Sequence, residues 1–290
     1  ATIKTDVELD VQTDDLHPGE ADREALLALY AELEFKGWTD ELLREKARSV
    51  ETPPVAGGLF DEGPLSEAPA AAACYETVME QAQFDAWLKK LEQAELIAFD
   101  TETTSLDAQQ AQVVGVSFAV EAGEAAYVPL AHSYMGVPAQ LDRDSVLRAL
   151  KPLLEDPNKA KVGQHAKYDI NVLANASTPI TVKGVAFDTM LESYVLDSTA
   201  TRHDMDSLAL KYLNHSTIRF EDIAGKGAKQ LTFDQIAIEQ AGPYAAEDAD
   251  VTLRLHQTLL GKLERTPSLL KVLTEIEMPL VPVLARIEPA

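Results

Sequence analysis

Three short apolar runs between residues 96 and 130 constrain the fold more than any other feature. Leu96–Thr101, Val113–Val120 and Ala125–Leu130 have strand length, and Gly123 separates the second from the third. Phe84–Leu91, just ahead of them, has the pattern of a short helix. After them the pattern alternates. Asp142–Leu154 reads as a helix with Asp142 as its N-cap, Lys161–Gln164 as a strand, Ala166–Asn175 as a helix, Gly184–Phe187 as a strand and Asp188–Leu196 as a helix. Residues His203–Tyr212 and Phe233–Gln240 have helical patterns, and a further helix runs on from Ser268. A long helix is expected from Pro243 to Leu263, with the proline in its first turn, where a missing N–H costs nothing. Three strands followed by alternating helices and strands predict an α/β fold, a mixed β-sheet flanked by α-helices.

Upstream, Leu26, Leu29, Tyr30, Leu33 and Phe35 recur near the helical period, and Trp38 and Leu42 continue the apolar set. Ser49–Ala73 then carries prolines, glycines and alanines with no apolar face to bury, so it reads as a flexible linker. No apolar run is long enough to span a bilayer. The segment Ala1–Asp6 has no apolar signal region, and one cysteine, Cys74, permits neither an internal disulfide nor a cysteine-based metal site. A cytoplasmic protein that does not engage membranes is expected. The net charge of −23 argues against a broad basic nucleic-acid surface; residues 1–95 contribute −14 of it and residues 96–290 the other −9. An enzyme acting on phosphate through bound cations tolerates this charge, because the cations invert the local field.

Three pieces of sequence carry candidate chemistry. In Phe99-Asp100-Thr101-Glu102, alternation along a strand points Asp100 and Glu102 the same way at the end of an apolar run. Buried carboxylates there need compensation, and a divalent cation supplies it. In Gly163-Gln164-His165-Ala166-Lys167-Tyr168-Asp169, a strand gives way to a helix with an aspartate in its first turn. In Tyr244-Ala245-Ala246-Glu247-Asp248, a phenol and a carboxylate share one helix face. Each has an ordinary reading alone: a solvated loop, a plain strand–helix junction, or a packing tyrosine beside three solvated acids, Glu247, Asp248 and Asp250. Four carboxylates converging without metal would repel and raise one another's pKa.

Taken in order, Asp-x-Glu, Tyr-Asp and Tyr-x-x-x-Asp resemble the motifs of the DEDDy subgroup of DnaQ-like 3′→5′ exonucleases. The strings DTETTSL (100–106), FDTMLESY (187–194), RHDMDSL (202–208), FEDIAGKG (220–227) and YAAEDADVT (244–252) are similar to the exonuclease domain of bacterial DNA polymerase I. The resemblance implies a ribonuclease H-like/DnaQ-like fold and a proofreading hydrolase. Asp100, Glu102 and Asp248 would hold one of two divalent ions, Mg²⁺ with Mn²⁺ or Zn²⁺ as substitutes, and Asp100 and Asp169 the other. Tyr244 would orient the attacking water. Leu106 and Phe220 would wedge and stack on the terminal bases, whereas the residue types alone read as core packing. Gln164, Lys167 and Arg202 would hold the strand's backbone. His165 stands where the family usually has Asn, and we expect it to contact the sugar or backbone. The resemblance also implies a layout: residues 1–48 as the tail of a 5′-nuclease domain, 49–75 as linker, 76–265 as the exonuclease, and 266–290 as the start of a polymerase domain. The chain then reads as a slice of a monomeric DNA-directed DNA polymerase acting on single-stranded or frayed 3′ ends. The alternatives are an RNA exonuclease of RNase D type and a non-catalytic DNA-binding or spacer module.

Overall fold

The computed structural model describes residues 22–33, 35, 38, 73–199 and 202–288. The segment resembling a 5′-nuclease tail before residue 22, and the linker reading up to residue 72, lie outside the described residues. The chain divides into two units, Ala1–Asp61 and Glu62–Ala290. Within the first, helix α1 (Arg23–Glu32) carries Tyr30, whose ring meets those of Phe35 and Trp38 at centroid distances of 6.3 and 5.6 Å.

The second unit is built on a six-stranded mixed sheet. Its strands are β1 (Cys74–Thr77), β2 (Leu96–Thr103), β3 (Val113–Glu121), β4 (Glu124–Pro129), β5 (Ala160–Gly163) and β6 (Val185–Asp188), in the spatial order β1-β4-β3-β2-β5-β6. The hairpins β2–β3 and β3–β4 are antiparallel; β1 with β4, β2 with β5 and β5 with β6 are parallel. Gly123, at φ 84°, makes the turn between β3 and β4 that the sequence marked. One face is covered by α2 (Gln81–Gln93), α3 (Arg143–Leu154) and α4 (Ala166–Ala174), which bury Phe84, Trp87, Leu147, Leu150, Val172 and Leu173 against Ile97, Phe99 and Val116. Asp142 caps α3 as expected, accepting from the Ser145 N–H.

The other face is covered by one long helix, α8 (Ile238–Leu263). It presents Ala241, Ala245, Ala246 and Ala249 to Ala98, Val114, Ala119 and Ala125. Small residues on both sides let the helix lie close to the strands, so its side chains reach the end of β2. Four expectations need correction here, the first being that Phe233–Gln240 is one helix: it holds a 3-10 turn over Phe233–Gln235 and then the first residues of α8. Helix α8 begins at Ile238, which leaves Pro243 inside it rather than in the first turn. The missing N–H deprives the Glu239 carbonyl of a partner, and the helix survives because Glu239 and Pro243 both lie on its exposed side, open to water. Cys74 and Tyr75, assigned to the linker, are in β1. The stretch 203–212 is also less regular than a helix: α6 (Met205–Leu208) passes into a π-helical turn over Ala209–Leu213 that ends on left-handed Asn214. Between β6 and α8 the chain forms α5 (Thr189–Leu196), α6 and α7 (Phe220–Ala224); after α8 it forms α9 (Pro267–Val272) and α10 (Met278–Ile287). Among the described residues no helix is long and apolar enough to cross a membrane.

Candidate active site

The register of β2 sets the centre of the site. Asp100 pairs with Ser117 and Glu102 with Gly115 across β2–β3, and both acids face α8. Asp248 projects from α8 to meet them, and ligating oxygens of Asp100, Glu102 and Asp248 lie within 4.8 Å of one another. Glu102 is 9% exposed, and its buried Oε1 has no hydrogen-bond partner among the described residues. Ser117 Oγ, cross-strand from Asp100, is likewise buried and unpartnered. Burial lifts the Asp100 carboxyl from 3.8 to about 6, against the pull of the Thr101 N–H. Burial first, and then the charges of Asp100, Asp248 and Asp169, raise Glu102 well above the usual range. Asp248 is raised by burial and by Asp100, partly offset by a hydrogen bond from the Tyr244 phenol. An all-oxygen donor set with mutual repulsion and an orphaned buried oxygen fits a hard divalent cation.

The acids on α8 divide by their partners. Glu247 accepts from the Ile218 N–H at 2.6 Å and from His215 Nε2 at 2.9 Å. Asp250 accepts from the Tyr75 hydroxyl at 2.8 Å and the Gly123 N–H at 2.6 Å, with Arg254 3.4 Å away. Both are buried and served by protein donors, so the solvated-acid reading is wrong for them. Asp248 is the one of the three that joins the cluster.

Asp169 stands in the first turn of α4. Its Oδ1 accepts from Thr101 N at 3.1 Å and Thr101 Oγ1 at 2.5 Å, which ties it to β2 beside Asp100, outside the 4.8 Å cluster. Burial and the Asp100 charge raise its carboxyl. The β5–α4 junction that carries it turns on His165, whose φ of 61° is left-handed. Asp188 holds this junction: its carboxylate accepts from His165 N at 3.1 Å and Ala166 N at 2.8 Å, and also caps α5 through Met190 N at 2.9 Å. The sequence marked Asp188 as a helix start inside the string FDTMLESY. Nothing in its spacing announced that it serves two helices.

The remaining expected site residues fall into two groups. Leu106 is 97% exposed, which overturns the core-packing reading for it. Its loop is fastened by the Tyr168 hydroxyl, which donates to the Ser105 carbonyl at 2.5 Å. The Arg202 side chain is 82% exposed, and Nε lies 3.6 Å from Asp204 Oδ2. Phe220 is half-buried, stacked on Phe233 at 6.4 Å and edge-on to Tyr244 at 6.2 Å, so packing accounts for part of it. Gln164 and Lys167 are engaged within the protein. Gln164 Nε2 donates to the His203 carbonyl at 2.9 Å while its Oε1 accepts from Thr189 Oγ1, and Lys167 Nζ is 2.5 Å from Glu288 Oε1. The His165 ring is exposed.

Comparison with known proteins places the chain in a family. A family model described as 3′-5′ exonuclease matches residues 75–264. DNA polymerase I of Pseudomonas aeruginosa is 78% identical over 288 residues, 99% of this chain and 30% of that protein, so the chain spans less than a third of this relative's length. The POL domain of Pol1 from M. smegmatis, solved with DNA primer-template and dNTP, superposes with a TM-score of 0.56 at 22% identity, covering 73% of this chain and 31% of that one. Escherichia coli RNase D superposes at 0.52 and 18% identity, covering 73% and 50%. At these identities the two structures establish the fold, ribonuclease H-like, which the RNase D alternative shares; the close sequence match is to polymerase I. The chain belongs to the 3′-5′ exonuclease family, in the form that bacterial DNA polymerase I carries.

Proposed function

We propose that this chain removes nucleotides from the 3′ end of single-stranded or frayed DNA, using divalent cations held by its four carboxylates. The orphaned Glu102 Oε1 carries this reading, because a buried carboxylate oxygen without a donor costs stability unless a cation occupies the site. Asp100, Glu102 and Asp248 would hold one ion, and Asp100 with Asp169 a second. Such a pair, when bound, supplies charge stabilisation to the attacking and leaving oxygens of an in-line displacement. Tyr244 donates a hydrogen bond to Asp248, which leaves its oxygen lone pairs able to accept from the attacking water. Leu106 wedges beside the terminal base and Phe220 stacks on it, a contact tolerant of sequence. Arg202 binds the backbone. Lys167 does so by exchanging Glu288 for phosphate, and Gln164 positions the His203 carbonyl next to Arg202. The non-catalytic alternative predicts lost carboxylates, whereas here they are present and convergent. In a longer parent chain, this unit would sit between a 5′-nuclease domain and a polymerase domain, at the boundaries given above.

The test is Mg²⁺-dependent shortening of a 5′-labelled single-stranded DNA. Stepwise loss from the 3′ end with release of nucleoside 5′-monophosphates is expected. Asp100→Ala should slow it by on the order of a thousandfold. Near-parental activity in that variant, or faster cleavage of RNA than of DNA of the same sequence, would overturn the assignment.

A further inference from the structure

Behind Glu102 lies a hydrogen-bonded chain that no motif announced. Gly115 is the cross-strand partner of Glu102, and paired residues project to the same side with Cβ positions about 4.5–5.5 Å apart. Gly115 has no side chain, and Tyr127 from β4 fills its place: a Cβ on Gly115 would stand 2.2 Å from Tyr127 Oη. The phenol is therefore set across from Glu102 in the floor of the site. It is fully buried, and burial together with the Glu102 charge pushes its pKa up.

The direction of each hydrogen bond follows from chemistry. His132 Nδ1 is 2.9 Å from the Ile236 carbonyl oxygen, which can only accept, so Nδ1 carries the proton. Burial of the imidazole opposes a second proton, which leaves Nε2 bare. Tyr127 Oη lies 2.8 Å from that nitrogen and must donate to it. The single hydroxyl proton is thereby used, and only lone pairs remain for the side facing Glu102. This agrees with Glu102 Oε1 having no partner.

We propose that Ile236, His132 and Tyr127 form a polarity lock that withholds the phenol proton from Glu102, so that its buried oxygen stays available to a cation. The inference rests on the metal-dependent reading above. Tyr127 and His132 act as positioning residues. A phenol freed from His132 would turn its proton to the carboxylate, since a hydrogen bond to an anion is the stronger one. Glu102 would then be satisfied without metal, and the ion would gain less by binding.

Mn²⁺ titration of the full chain, read by the electron paramagnetic resonance of the free ion, tests the lock, with D100A marking the site. H132L should weaken binding by about tenfold. H132Q, whose amide can donate to the Ile236 carbonyl and accept from Tyr127, should stay within about twofold of the parent. Adding Y127F to H132L removes the competing proton and should restore affinity. A packing defect would not be repaired by a second truncation, so a double variant as weak as H132L overturns the lock, as does an H132L equal to the parent. A parent that binds no Mn²⁺ at the Asp100 site overturns the metal reading itself, and the lock with it. Nitrogen-15 NMR of the histidine side chains gives a check independent of any variant: the Nδ1–H tautomer of His132 is required, and an Nε2–H tautomer refutes the proposal.

Discussion

At His165 the backbone restricts the residue type as strongly as any contact of its side chain. Its φ of 61° and ψ of 41° lie in the left-handed region, which asparagine, aspartate and histidine enter far more readily than other non-glycine residues. The asparagine that the resemblance leads one to expect and the histidine here both meet this backbone demand, whatever either contacts in the substrate. His165→Asn should therefore match the parent in melting temperature and keep most of its activity. His165→Val should lower stability by about 1–3 kcal/mol, seen as a lower denaturation midpoint. His165→Ala should also slow hydrolysis by about two- to tenfold if the ring touches the sugar or backbone. A valine variant as stable as the parent would refute the backbone argument. The left-handed turn was not legible in the sequence, because φ is set by the Asp188 carboxylate pulling on two consecutive N–H groups from 23 and 22 residues away. The roles of Glu247, Asp248 and Asp250 were illegible for a similar reason. Three acids on one helix differ only in the donors that distant segments bring to them.

Three elements force the carboxylates together: β2 supplies Asp100 and Glu102, α4 supplies Asp169, and α8 supplies Asp248. The consequence is measurable in stability. The Asp100 carboxyl is raised from 3.8 to about 6, so the native chain holds this proton more tightly than the unfolded chain does. In the metal-free protein its ionisation therefore lowers stability as pH rises from about 3.8 to about 6, with the full penalty present above that window. Glu102, Asp169 and Asp248 shift in the same direction. Mg²⁺ competes with these protons, so it should raise the melting temperature clearly at pH 7.5 and much less at pH 5. Equal increments at both pH values would mean that the ion binds elsewhere. At this scale much was legible. The apolar runs gave β2, β3 and β4, and the Asp142 cap gave the start of α3, because burial and capping are written locally. Strand β1 was missed: it has four residues, none with an alternating apolar pattern, and it is held by parallel pairing to β4 about 50 residues away. The start of α8 was misplaced because proline was read as a boundary, when an exposed helix face can leave one carbonyl to water.

For the whole molecule, a net charge of −23 and a nucleic-acid substrate are reconciled if cations mediate the contact. The chain spans 30% of the length of its polymerase relative, and we propose that in a longer parent most of the basic surface for duplex DNA would belong to neighbouring domains. The motif order made the centre of the site legible, because Asp100, Glu102 and Asp248 do meet; Tyr127 and His132 were not legible, because neither belongs to a motif, and Asp188, inside FDTMLESY, carried no signal of the two helices it serves. The proposed chemistry requires the converging carboxylates to be a cation site rather than an accident of packing. Anomalous scattering from a crystal of this chain soaked in Mn²⁺ measures that directly. A peak bounded by the oxygens of Asp100, Glu102 and Asp248 is expected, with a second beside Asp100 and Asp169. No peak at that cluster under saturating Mn²⁺, or one held by other residues, would contradict it.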